Sequence, residues 1–224
     1  MSDTTDPTST TDPASTTGTT GATTGEPGPL TYGLVVFDGA EELDFVGPWE
    51  VFTASAMVRA TGDQCFLIGE HDRPVRCAKS MSVLPHHTFD DHPPLDVVLV
   101  PGGMGTLTEV DNPRLIEWLV RQAETARWMT SVCTGSLLLW ASGVAKDRRV
   151  ATHWVFEDEL ERRGATVVRD ARWVRDGNVV TSQGVSAGID MALWLIGEEH
   201  SPAHARMVQH DMQYAPAPPY AADV

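Results

Sequence analysis

The chain has 224 residues and a formal net charge of −15, of which four charges (Asp3, Asp6, Asp12, Glu26) fall in residues 1–30, a Thr/Ser/Pro/Gly-rich stretch with no Lys or Arg. Residues 31–224 therefore still carry −11, a surface that repels phosphate backbones and excludes nucleic acid as a partner. No window approaches the roughly 18 uninterrupted apolar residues of a membrane span.

Residues 1–30 have too few large apolar side chains to offset their ordering entropy, so a disordered tail is expected there. They show neither the basic start nor the apolar run of a secretory signal. The three cysteines, Cys65, Cys77 and Cys133, form no C-x-x-C pair, and free thiols in a reducing cytoplasm are expected. Residues 31–224 suffice for one domain with a substantial core.

Gly33–Phe37 is a short β-rich apolar run, as a strand buried on both faces requires. Asp38-Gly39 ends it, and Gly47-Pro48 is expected to open a helix running through Met57-Val58. Cys65–Gly69 predicts a second strand, and residues Val75 to Leu84 an extended excursion. Asp96–Val100 predicts the next buried strand, broken by Pro101-Gly102-Gly103. Asn112-Pro113 starts a helix with Leu115, Ile116, Leu119 and Val120 at helical spacing. Trp128-Met129-Thr130 then leads into Ser131-Val132-Cys133-Thr134-Gly135-Ser136, and Leu137–Ala141 follows: a strand, a tight turn carrying one cysteine, and a buried helix.

Downstream, His153–Arg163 reads as a helix and Thr166–Val168 as a strand. Arg172–Val174 and Val179–Thr181 form a hairpin about Asp176-Gly177-Asn178. Ala187–Gly197 and Pro202–Met212 read as helices. Ala215–Pro219 cannot be helical and is expected to lie over the surface or a partner. Strands alternating with helices call for a mostly parallel sheet covered on both faces.

Cys133 is the leading chemical candidate. Small residues two positions either side, Ser131 and Gly135, suit the sharp turn of a nucleophile elbow, where large neighbours would collide. A merely structural buried cysteine explains neither these residues nor the switch from strand to helix. Its place at a helix N-terminus is expected to favour a thiolate. Open α/β sheets bind ligands beyond the carboxyl ends of their strands. Three loops leave such ends: Asp38–Asp44, Pro101–Thr106 and Cys133–Ser136. If their strands are neighbours, an acid, a glycine-rich turn and a thiol converge.

Other signals are weaker. His86, His87 and His92 with Asp90 and Asp91 lack the spacing of a metal site and are expected to be solvent-exposed loop residues. His200, His204 and His210 are expected at the surface. Gly102-Gly103-x-Gly105 lacks the spacing of a phosphate loop.

Several motifs carry a resemblance. Glu42-Leu43-Asp44-Phe45-Val46-Gly47-Pro48, Val100-Pro101-Gly102-Gly103 and Ser131–Ser136 resemble the ThiJ/PfpI superfamily. Ala151-Thr152-His153-Trp154, Gln183–Asp190 and Gln213–Pro219 narrow it to the isonitrile hydratase branch. The resemblance spans residues 31 to 220. It implies a flavodoxin-like three-layer sandwich with a cysteine nucleophile elbow, and a homodimer with the cysteine near its interface. It also implies a cofactor-independent hydro-lyase that adds water to an isocyanide, or a related small electrophile, through a thioimidate on Cys133.

In that branch Asp44 would be the carboxylic acid beside the thiol, with a pKa raised by burial and by the adjacent thiolate. The alternative for Asp44 is a helix N-cap, whereas Glu41 and Glu42 read as solvated loop charges. Thr134 would orient water or substrate, and Gly103 would either present a backbone N–H or serve only to make the turn. Gly184, Val185 and Ser186 would pack over the cysteine and contact substrate. His153 either lines the pocket or caps a helix. The protease branch places a histidine directly after the cysteine, where this chain has Thr134. The competing reading is a cysteine-based redox sensor or regulatory amidase-like module without a DNA-binding domain.

Overall fold

The computed structural model describes residues 28–218. The expected disordered tail lies outside the described residues except for 28–30, and so does Pro219. Leu30 is already part of the fold, since its side chain is buried and its N–H donates to Asp63 Oδ1 at 2.8 Å.

The strands are β1 (Thr31–Val35), β2 (Gln64–Gly69), β3 (Val75–Arg76), β4 (Ser82–Val83), β5 (His87–Thr88), β6 (Val97–Val100), β7 (Trp128–Val132), β8 (Arg149–Val150), β9 (Thr166–Val167), β10 (Trp173–Asp176) and β11 (Val179–Ser182). The helices are α1 (Glu42–Arg59), α2 (Thr106–Glu109), α3 (Pro113–Ala123), α4 (Gly135–Ala141), α5 (Glu157–Arg162), α6 (Ala187–Glu199) and α7 (Pro202–Asp211), with a 3-10 turn at Trp154–Phe156. Seven strands form one sheet in the order β10-β11-β7-β6-β1-β2-β5, parallel except for β10. β3 pairs with β4 and β8 with β9 in two small ribbons. This is the flavodoxin-like α/β sandwich.

The central strands are apolar on both faces because both are covered. Helices α1, α6 and α7 pack on one another over one face, while α4 lies on β6 and β7 beside α2 and α3 over the other. The order matters for function. β1, β6 and β7 are adjacent, so the loops after them, which carry Asp44, Gly102-Gly103 and Cys133, converge at one sheet end.

Three expectations need correction. Helix α1 begins at Glu42 rather than at Gly47-Pro48, so Pro48 lies inside it. Near a helix start a proline forfeits only one backbone bond, and here its ring packs on α6, where Gly188 leaves room for it. Helix α3 buries Leu115, Trp118, Leu119 and Gln122, whereas Val120 is exposed.

Of the histidines expected at the surface, His86 and His210 are exposed, whereas His87, His92, His200 and His204 are wholly or partly buried. Trp118 Nε1 donates to His92 Nε2 at 2.9 Å, the Leu67 N–H donates to His86 Nδ1 at 3.0 Å, and His87 belongs to edge strand β5. His204 is fully buried within hydrogen-bond reach of Ser55 on α1, and His200 contacts Asp63 at 2.9 Å. Spacing alone did not show that α7 folds back onto α1.

Candidate active site

Cys133 occupies the junction between β7 and α4 with φ of 58°. That left-handed conformation is costly for a residue with a Cβ, and the surroundings enforce it. The Cys133 N–H donates to the Ser182 and Gln183 carbonyls, both at 3.2 Å. Its own carbonyl accepts from Thr152 Oγ1 at 3.0 Å and from Ser136 Oγ at 3.1 Å. The small residues at the turn have a visible cause. A Cβ on Gly135 would lie 2.2 Å from the Val100 carbonyl oxygen, and one on Gly102 would lie 2.7 Å from Cys133 Cβ. Both glycines let the β6 loop close over the thiol.

Asp44 is not an N-cap. It lies in the first turn of α1 with its side chain fully buried, and its Oδ2 accepts the Gly102 N–H at 2.8 Å. Oδ1 has no hydrogen bond of good geometry among the described residues. The Cys133 thiol and the Val185 N–H face the carboxyl and favour its charged form, but less than burial opposes it. Burial, with a smaller contribution from the Glu41 charge, pushes Asp44 up to about 7. The neighbour raising it is thus Glu41, not a standing thiolate.

The thiol is also pushed up, to about 12, first by burial and then by the Asp44 charge. The N–H groups of Thr134 and Gly103 and the Thr134 hydroxyl act in the opposite sense. Burial therefore works against the thiolate expected at a helix N-terminus, and α4 has only 7 residues with which to oppose it. Protonating Asp44 removes one of the two causes that hold the thiol up, so carboxyl and sulfur are linked through their protons.

A cavity of about 250 Å³ opens onto the sulfur, lined by Cys133, Thr134, Gly103, Glu41 and His153 together with apolar side chains that include Met104, Leu107 and Phe156. It exceeds the roughly 150 Å³ apolar cavities that hold a benzene ring. His153 does both things expected of it: its Nδ1 accepts the Val155 N–H at 3.3 Å, capping the 3-10 turn, and its ring forms one wall. That ring lies against Gly184, where an added Cβ would meet it at 2.1 Å. Among the described residues no group of three or more His, Cys, Asp or Glu side chains could hold a metal ion.

The DJ-1/PfpI family pattern matches residues 33–198. The chain belongs to that family. It is 40% identical to isonitrile hydratase of Pseudomonas putida over 85% of this chain and 81% of that protein. It is 31% identical to the Parkinson disease protein 7 homolog of Danio rerio over 74% of this chain and 87% of the relative. A ThiJ/PfpI family protein from Pseudomonas syringae superposes with a TM-score of 0.81 at 31% identity, covering 88% of this chain and 80% of that one.

Within this DJ-1/PfpI domain the structure brings Cys133, Asp44, Thr134 and Gly103 together, with Gly184 behind His153 and the Val185 N–H toward Asp44. Val185 itself has φ of 54°. Ser186 is elsewhere: it is exposed, and its hydroxyl accepts from Arg172 Nη2 at 3.0 Å. Two residues read as solvated loop charges are not. Glu41 lines the cavity and pairs with Lys79, and Glu42 Oε1 accepts the Lys79 N–H at 2.7 Å, strapping the β3–β4 ribbon beside the site. Thr106, fully buried against Thr134, was not singled out in the sequence, where it only closes the loop Pro101–Thr106. No helix among the described residues is long and apolar enough to cross a membrane.

Proposed function

We propose that the protein hydrates an isocyanide, R–N≡C, to the N-substituted formamide through a thioimidate on Cys133. The observation that carries this reading is a buried carboxyl held near neutrality and facing a protonated thiol at the floor of an apolar cavity. Similarity to isonitrile hydratase over most of both chains supports it.

In the first half-reaction the thiol adds to the terminal carbon. A C–S bond forms while Asp44 takes the thiol proton and passes it to the same carbon, giving R–N=CH–S-Cys133 with the carboxylate restored. Charge on sulfur is met by the N–H groups of Thr134 and Gly103 and by the Thr134 hydroxyl. In the second half-reaction water adds to that carbon and the nitrogen is protonated. The C–S bond then breaks with its electrons returning to sulfur, the hydroxyl proton returns to the thiol, and R–NH–CHO leaves. Gly103, Gly184 and Val185 supply the backbone walls, and the apolar lining suits an aliphatic or aromatic R group.

We propose further that the protein is a homodimer. The cavity lining includes Met104 at 74% and Val155 at 63% exposure, and Trp154, next to Val155 in the chain, is 73% exposed, an apolar patch of the kind partners cover. The free cysteines support a reducing compartment such as the cytoplasm. A redox sensor is the weaker reading, since oxidation follows thiolate character and burial pushes this thiol up.

Hydration of a simple aryl isocyanide by the purified protein, beside Cys133→Ala, tests the proposal. Formamide from the parent alone supports it. Absence of formamide from a protein whose Cys133 still alkylates would end the hydratase reading while leaving the nucleophile.

A further inference from the structure

Water that hydrolyses the thioimidate gives up a proton as its oxygen adds, and it needs a base within hydrogen-bond reach to take that proton. Asp44 does not meet the need. It is fully buried and does not border the cavity that opens onto the sulfur. Of the groups that do border it, the Thr106 and Thr134 hydroxyls are not bases near neutrality. His153 is already committed. Its Nδ1 accepts the Val155 N–H, so the neutral ring carries its proton on Nε2 and has no second lone pair to offer. Glu41 is the one carboxylate in the lining.

Backbone and side chain both hold Glu41 at this wall. Its N–H donates to the Gly102 carbonyl at 2.8 Å, and a Cβ on Gly102 would lie 2.7 Å from Cys133 Cβ. A single glycine thus separates the Glu41 backbone from the nucleophile. The Glu41 side chain is 15% exposed, and its Oε1 pairs with the Lys79 ammonium. A carboxylate has about four lone-pair sites, so this pair anchors the group and leaves sites for a water. Glu42 Oε1 accepts the Lys79 N–H at 2.7 Å, which ties the ion pair to the first turn of α1. The charge of Glu41 is felt at Asp44, so both carboxyls stand close to the reacting centre.

We infer that Glu41 is the catalytic base of the second half-reaction, taking a proton from the water that attacks the Cys133 thioimidate. The inference rests on the hydratase reading and divides its two halves between two carboxyls. Asp44 serves formation of the C–S bond. In the second half the water oxygen bonds to the thioimidate carbon while Glu41 takes one water proton. Glu41 then passes that proton to the substrate nitrogen, giving R–NH–CH(OH)–S-Cys133 with its own carboxylate restored. The C–S bond breaks with its electrons going to sulfur, and the hydroxyl proton returns to the thiol.

The test follows formamide and the intact mass of the chain when a simple aryl isocyanide is added to the parent, Glu41→Gln and Asp44→Asn at neutral pH. Removing a general base costs about 10²–10⁴-fold. Glu41→Gln should therefore make formamide at least about a hundredfold more slowly and accumulate the mass of one isocyanide on Cys133. Asp44→Asn should lose formamide without that adduct. Glu41→Asp, with the charge kept but drawn back by one methylene, should show the same stall to a smaller degree. Formamide at the parent rate from both Glu41 variants would overturn the inference. Slow variants that carry no adduct would overturn it too, since Glu41 would then act before the thioimidate or on the fold. Adduct in Asp44→Asn but not in Glu41→Gln would reverse the two roles and overturn it as well. A parent that gives neither formamide nor adduct would end the hydratase reading and this inference together.

Discussion

Asp44→Asn should make the protein more stable near pH 8 and no more stable near pH 4. Asp44 has an ordinary value of 3.8 and is pushed up to about 7 in the fold, chiefly by burial. Below 3.8 both folded and unfolded chains hold the proton, so the carboxyl costs the fold nothing. Between 3.8 and about 7 the unfolded chain releases the proton while the folded one keeps it, and stability declines as pH rises. Above about 7 the loss is complete. At about 1.4 kcal/mol per pH unit the full effect is on the order of 4 kcal/mol, with ~3 kcal/mol of it lost between about pH 5 and pH 8. Asparagine cannot ionise, and its side-chain oxygen can still accept the Gly102 N–H. Urea denaturation of both proteins at about pH 5 and pH 8 reads the difference directly. A variant whose advantage is the same at the two pH values would refute a carboxyl held near neutrality. Turnover of isocyanide should meanwhile be lost in Asp44→Asn, with Cys133 still open to alkylation.

Other outcomes follow from the same geometry. Cys133→Ala should fold and lose turnover; Cys133→Gly should melt above Cys133→Ala by the equivalent of about 1 kcal/mol, because glycine accepts φ of 58° without a Cβ clash. Equal melting temperatures would mean that the turn is not strained. Gly135→Ala places a Cβ 2.2 Å from a backbone oxygen that cannot rotate away, so a loss of about 1–3 kcal/mol and slower alkylation of Cys133 are expected; unchanged melting would refute the close approach of β6 and α4. Sedimentation at micromolar concentration should give twice the 24.3 kDa chain mass, and a value near one chain would exclude the dimer.

Much of this was legible in the residue pattern because it depends on local chemistry. Short β-branched runs cut by Asp-Gly or Pro-Gly can form only brief strands, and the hairpin about Gly177 and the helix start at Asn112-Pro113 follow from side chains next to the backbone they serve. The same holds for the turn at Cys133, where small flanking residues announce a tight approach before any partner is known. Pro48 misled because proline marks a helix start in most contexts, and here contact with α6 lets α1 begin at Glu42. His200 and His204 misled because a polar spacing pattern describes the segment's own surface and not what folds over it.

The sequence by itself determined the alternation of strands and helices, the parallel sheet and the single strained cysteine, since each depends on residues within a few positions of one another. Only the tertiary structure decided what the cysteine can do. Adjacency of β1, β6 and β7 is a choice among strand orders that periodicity does not rank, and it alone sets Asp44 against the thiol. Burial then moves both groups to states their sequence neighbours do not dictate, Asp44 to about 7 and Cys133 to about 12. The reason is physical: desolvation is a property of everything packed around a charge, and most of what surrounds this pair comes from distant parts of the chain.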